Sequence, residues 1–174
     1  MTDGEKRRER IVKLLEESET PVSGTRLAAK LGVSRQIIVQ DVALLRAENR
    51  HILSTYQGYV LETAVAERGA VRVFRVSHDT KDTLDELQTI VDYGGRVLDV
   101  FVEHPLYGQI RADLIIGSRL EAAQFVEQME ASLAQPLKLL TDGHHYHTVT
   151  APSERHLDLI GQELERKGYL LPEA

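Results

Sequence analysis

Apolar residues in the first third of the chain recur at helical spacing. Ile11, Leu14 and Leu15 share one face of residues 3–18. Leu27, Ala28 and Leu31 repeat the pattern, and Gly32 breaks it. Ser34 then opens a second helix, whose Ile38, Val42 and Leu45 stand at i, i+4 and i+7. Two helices joined this tightly, over residues 25–46, make a helix-turn-helix. Beyond it the apolar runs shorten: Ile52-Leu53 and Tyr59-Val60-Leu61 flank Gln57-Gly58, which predicts a β-hairpin.

Residues 62–70 are polar and carry neither period, which sets a domain boundary between an expected first domain, 1–62, and a second, 71–174. In the second, Val71, Val73, Phe74 and Val76 predict a strand, and Leu84, Leu87, Ile90 and Val91 a helix over residues 80–93 that stops at Gly94-Gly95. Residues 97–103 and 109–115 predict strands about the turn from Pro105 to Gly108, and Ser118 starts a helix through Phe125, Val126 and Met129 to Leu133. Residues 137–140 and 145–150 read as a strand pair around Thr141-Asp142-Gly143, and a helix over 153–167 with a short strand at 169–171 closes the chain. Strands mixed with three helices imply an α+β sandwich whose helices cover one sheet face.

Charge sharpens the division. The net charge is -6, but residues 1–60 carry +2 and the remainder -8, so contacts to a polyanion belong to the front end. There is no cysteine, which excludes disulfides and thiolate metal sites. No apolar run approaches the roughly 18 residues of a membrane span, and the N-terminus lacks a signal-peptide core, so a soluble cytoplasmic protein is expected.

With Ile38, Val42 and Leu45 turned inward, Arg35, Gln36, Val39 and Gln40 occupy the opposite face near the helix start, and Ser34 caps it. Arg and Gln are forked donors that read guanine or adenine edges, and Val39 suits a thymine methyl. The alternative is an ordinary antiparallel helix pair with a solvated outer face. The basic run Lys6, Arg7, Arg8 and Arg10 likewise reads either as phosphate contacts or as a solvated face shared with Glu5 and Glu9. Helix, helix-turn-helix and hairpin together resemble the winged-helix domains of bacterial transcription regulators. Ile37 and Val39 depart from the small polar residues of many relatives, which leaves the base sequence read here open.

Five of the seven histidines lie between His78 and His147. His145 and His147 stand two apart in an expected strand and so share a face. His78 and Glu86 are eight residues apart, about 12 Å along a helix axis and too far to share an ion, so His78 must precede the helix in a turn capped at Asp79 or Thr80. Three histidines and a carboxylate suit zinc, nickel, cobalt or iron better than calcium or magnesium. Against this stands a bland reading, in which His144, His145 and His147 are surface histidines on a hairpin and Glu86 is one of several acids on a solvated helix.

The segments SHDTKDTLDEL, VFVEHPLYGQIRADL and His145-Tyr146-His147-Thr148 resemble the three-histidine (3H) domain attached to a winged helix in niacin-responsive repressors. The resemblance spans nearly the whole chain. It implies a divalent metal held by His78, Glu86, His145 and His147, with His144 a competing partner for His147. It also implies a homodimeric repressor of NAD biosynthesis or niacin uptake genes that binds an operator in double-stranded DNA, with nicotinic acid or a related pyridine as corepressor. On that reading Arg111 meets the effector carboxylate and His104 lines the pocket, although a turn histidine beside Pro105 explains His104 equally well. Two other classes remain: a metal-responsive regulator without organic effector, and a metal-dependent hydrolase with Asp79 or Asp82 as base.

Overall fold

The computed structural model describes residues 1–62, 69–133 and 135–172, and the chain divides into two compact units, Met1–Glu67 and Arg68–Ala174. Most of the polar stretch expected to hold the boundary lies outside the described residues. No described helix is long and apolar enough to cross a membrane.

The first unit begins with α1 (Asp3–Glu16), whose Thr2 and Glu5 form a reciprocal capping box. Next is α2 (Gly24–Leu31), which ends at Gly32 with φ 66°, the left-handed cap that favours glycine. In α3 (Arg35–Ala47) the Ser34 side chain accepts from the Ile37 amide. Ile11, Val12, Leu15, Leu27, Ile38, Val42 and Leu45 form one core, closed by Ile52 and Leu61 of the hairpin. That hairpin pairs β1 (Ile52–Ser54) with β2 (Tyr59–Leu61), and Val22 bridges to Tyr59 on its other side. Gly58 is required at the turn, because a Cβ there would sit 2.4 Å from the Val22 carbonyl.

In the second unit β3 (Ala70–Ser77), β4 (Arg96–His104), β5 (Gly108–Ile116) and β6 (His144–Ala151) form an antiparallel sheet in the order β3-β6-β4-β5. Three helices accompany it: α4 (Thr83–Asp92), α5 (Arg119–Ala131) and α6 (Glu154–Arg166). Phe74, Val76, Val97 and Val149 of the sheet are buried with Leu87, Ile90, Leu157, Ile160 and Leu164 of the helices. The opposite face is open: Val71 and Val73 are exposed, and Phe101 stacks on Tyr146. This is the expected α+β sandwich with its helices on one side.

Leu114, Ile115 and Ile116 are all buried, which alternation forbids. The chain resolves this with a bulge, in which Leu98 of β4 faces both Leu114 and Ile115 of β5, and Ile115 takes φ 58°.

Three expected elements differ. Residues 137–140 form no strand but lie in a 3-10 turn, Leu137–Thr141, because both edges of β6 are already paired with β3 and β4. The helix expected from residue 80 opens with a separate 3-10 turn, Thr80–Asp82, before α4. The closing strand reduces to one bridge, Leu170 to Val76.

Candidate metal centre and DNA-reading face

Alternation along β6 turns His145 and His147 toward the helix-covered face, opposite Val76 and Phe74, while His144 and Tyr146 turn the other way. His144 is exposed, which removes it as a partner for His147. His78 follows β3 directly, and the turn Thr80–Asp82 doubles the chain back so that α4 lays Glu86 over it. Asp79 takes the N-cap position of that turn, but its side chain makes no capping bond. All four side chains are nearly sealed: 1% exposed for His78 and Glu86, 3% for His145 and 4% for His147. The hairpin-surface reading of these residues is thereby overturned.

Each ring is held from behind. Nδ1 of His78 donates to the Asp79 carbonyl at 2.8 Å, that of His145 to Gly143 at 2.8 Å, and that of His147 to Asp99 at 2.7 Å. A carbonyl only accepts, so the proton sits on Nδ1 and the Nε2 lone pair is left for a ligand. All three Nε2 atoms meet the Glu86 carboxylate: His78 contacts Oε2, while His145 and His147 lie 3.3 and 3.0 Å from Oε1. The donor atoms of His78, Glu86 and His145 lie within 4.8 Å of one another, and His147 joins them through Oε1.

Glu86 Oε1 is buried and receives no properly directed hydrogen bond. Lone pairs of nitrogen and oxygen facing each other out of water are costly unless a cation stands among them. Nitrogen and oxygen donors held in this way fit zinc, nickel, cobalt or iron. Burial pushes the Glu86 carboxyl up, but the charge of His147 and the approach of the three rings outweigh it and hold the group well below the ordinary range. Burial lowers His145, whereas at His147 the opposing Glu86 charge prevails over burial and raises it.

Three contributors were not legible in the sequence. Asp99, 2% exposed beside the bulge, supplies the carbonyl for His147, and its carboxylate accepts the Thr148 amide at 2.9 Å. Lys138, 4% exposed, donates through Nζ to Thr83 Oγ1 at 2.9 Å and lies 3.3 Å from His78 Nδ1. Its pKa is lowered by burial, against the pull of Glu86, Asp82 and Asp79. Tyr169 packs on the His78 ring at 5.3 Å and donates its hydroxyl to Asp85 at 2.8 Å. A lysine between leucines in Leu137-Lys138-Leu139 was the one local sign, since a buried cation needs a reason.

Arg111 and His104 stand apart from the cluster. Arg111 pairs across to Phe101, and Phe101 to Tyr146, so Arg111 belongs to the open sheet face. Its guanidinium bonds Asp99 at 3.0 Å and Asp113 at 2.9 Å. His104 Nδ1 accepts from the Leu106 and Tyr107 amides at 3.1 and 3.2 Å and so caps the β4–β5 turn.

In the first unit Ser34, Arg35, Gln36, Val39 and Gln40 are all exposed, at the start of α3. Arg7 and Arg8 are engaged within the protein: Arg7 grips the buried Asp41 of α3 at 2.5 and 3.2 Å, and Arg8 approaches the same carboxylate at 3.7 Å. That leaves Lys6 and Arg10, both exposed, from the basic run. A groove along α1 and the end of α3 is lined by Glu5, Glu9, Glu16, Glu17 and Glu48 together with Arg8, Lys13 and Arg50.

Comparison with known proteins gives two domain matches, a 3H domain over residues 71–173 and an HTH domain over residues 7–60. The chain is 44% identical over 164 residues to the "Probable transcription repressor NiaR" of Thermotoga maritima, covering 94% of this chain and 93% of that one. It is 44% identical over 170 residues to the "Transcription repressor NadR" of Bacillus subtilis, covering 97% and 94%.

Proposed function

The chain belongs to the NiaR/NadR family, a winged helix-turn-helix joined to a 3H domain, and from that membership we propose that it is a DNA-binding transcriptional repressor of NAD biosynthesis or niacin uptake genes. Its corepressor is nicotinic acid or a close pyridine relative. The observation that carries the proposal is the convergence of three imidazoles on Glu86 with every Nδ1 pinned to a carbonyl. His78, Glu86, His145 and His147 hold a divalent ion, nickel or zinc by donor type, with iron and cobalt the other candidates. Such an ion offers its remaining positions to a ring nitrogen resembling imidazole.

At the other unit Ser34 orders the first turn of α3, while Arg35, Gln36, Val39 and Gln40 meet base edges. A homodimer places two such helices on half-sites about one turn of DNA apart. An effector alters DNA affinity only in so far as it binds one arrangement of the dimer better than another. The hydrolase alternative falls away: the relatives are transcription repressors, and the chain is a regulator rather than an enzyme.

A second reading keeps the ion and drops the organic ligand. What favours it is the burial of all four side chains, at most 4% exposed. Footprinting of the full-length protein on its own promoter region, with and without nicotinate and before and after chelation, separates the two. The leading reading expects protection that needs both metal and nicotinate and disappears in His145→Ala. Protection set by metal alone supports the metal sensor, and protection indifferent to both refutes each.

A further inference from the structure

Among the described residues Lys138 is the only lysine or arginine that is buried, and its surroundings do not use its charge. An ammonium has three donors and no acceptor. One reaches Thr83 Oγ1 at 2.9 Å. His78 Nδ1, 3.3 Å away, accepts nothing, because its own proton is given to the Asp79 carbonyl. No carboxylate of the described residues comes within ion-pair distance, and Glu86, Asp82 and Asp79 attract Lys138 only from farther off.

The position is otherwise hostile to a cation. Thr83 opens α4, so Nζ sits at the positive end of a helix dipole. It also stands against a cluster whose donors suit a second positive charge. A side chain needed only to tie the turn Leu137–Thr141 to α4 would reach the Thr83 hydroxyl at lower cost if neutral. Two unspent donors on a desolvated ammonium beside the His78 ring edge call for an anion, and a carboxylate matches them.

We infer that Lys138 receives the carboxylate of the effector and so sets the preference for an acid over the corresponding amide on a planar nitrogen heterocycle. The inference rests on the reading of the histidine cluster as an ion site with a pyridine effector. It takes the role expected of Arg111, whose guanidinium meets two carboxylates on the other sheet face.

The test is calorimetric titration of full-length, zinc-loaded protein with nicotinate and with nicotinamide. Wild type is expected to bind nicotinate more tightly. In Lys138→Met nicotinate binding weakens on the order of 10- to 100-fold, nicotinamide binding stays within about two-fold, zinc content by elemental analysis is unchanged, and Lys138→Arg restores part of the preference. Should the Met variant fail to fold by circular dichroism, Lys138→Gln carries the same comparison. Nicotinate affinity unchanged in a folded variant overturns the inference and leaves the effector reading standing. Equal loss of both ligands, or loss of zinc, marks Lys138 as structural and also overturns it. Wild type that binds neither probe overturns the effector reading and this inference with it.

Discussion

Of the ion pairs that tie α3 to α1, Arg7–Asp41 is the shortest, and breaking it has a calculable effect. The Asp41 side chain is 3% exposed and its partner Arg7 24%, with bonds of 2.5 and 3.2 Å in the forked geometry. Exposed pairs contribute about 0–1 kcal/mol, whereas breaking a buried pair costs about 3–5 kcal/mol. Asp41→Asn leaves Arg7 partly able to hydrate, so the cost falls between these limits, at about 2 kcal/mol. A unit of some sixty residues holds only about 3–10 kcal/mol in total. Its melting temperature should therefore fall by roughly 8–16 °C. Thermal unfolding of the full chain by circular dichroism measures the shift, and hydrogen exchange at the α3 amides assigns it to the first unit. A double-mutant cycle with Arg7→Gln then isolates the pair. A coupling energy under about 0.5 kcal/mol would refute the claim that this contact fixes α3.

Two further outcomes follow from other contacts. The Asp85 carboxyl is held below its ordinary value by the hydrogen bond from Lys167 at 2.9 Å, with burial opposing and the Tyr169 hydroxyl adding at 2.8 Å. Because the folded value is the depressed one, its stabilisation is present above an unfolded pKa of about 3.9 and is lost as pH falls through the folded value. Asp85→Asn should flatten the decline of melting temperature below about pH 4, and a decline as steep as wild type counts against the pairing. On DNA, Gln40→Ala should relax discrimination at one base pair by about 1–3 kcal/mol with the salt dependence unchanged. Equal weakening on every sequence, measured by binding to a panel of single-base operator variants, would make Gln40 a backbone contact instead.

What could be seen in the sequence was what depends on near neighbours. The helix-turn-helix shows because Leu27, Ala28, Ile38, Val42 and Leu45 repeat within a few residues and Gly32 marks the break. The same period carried a sign that went unused: Asp41 lies three residues after Ile38 on the buried stripe, and an acid there demands a cation. His145 and His147 declare a shared face through strand alternation alone. Spacing could offer Glu86 as a partner for His78 across a turn, but only family resemblance chose that pairing over one more acid on a solvated helix. Asp99 was out of reach, and Lys138 showed only as a lysine among leucines, because their partners His147 and Thr83 lie 48 and 55 residues away. Leucine-rich residues 137–140 misled for a related reason: apolar character suits a strand, but a strand also needs a free edge, and β6 had none to give.

The register of β6 therefore decides whether the site exists. A slip by one residue would turn His144 and Tyr146 to the helices and carry His145 and His147 to the open face. Two features oppose it. β6 is flanked on both sides, so a slip must break the pairing with β3 and β4 together. And where the bulge interrupts the β4 ladder, the Asp99 carboxylate accepts the Thr148 amide while its carbonyl holds the His147 ring, so one residue ties the backbone of β6 to the orientation of a proposed ligand. Arg111 bonds the other oxygen of that carboxylate at 3.0 Å. Placed on the open face, it is joined to the cluster by way of Asp99.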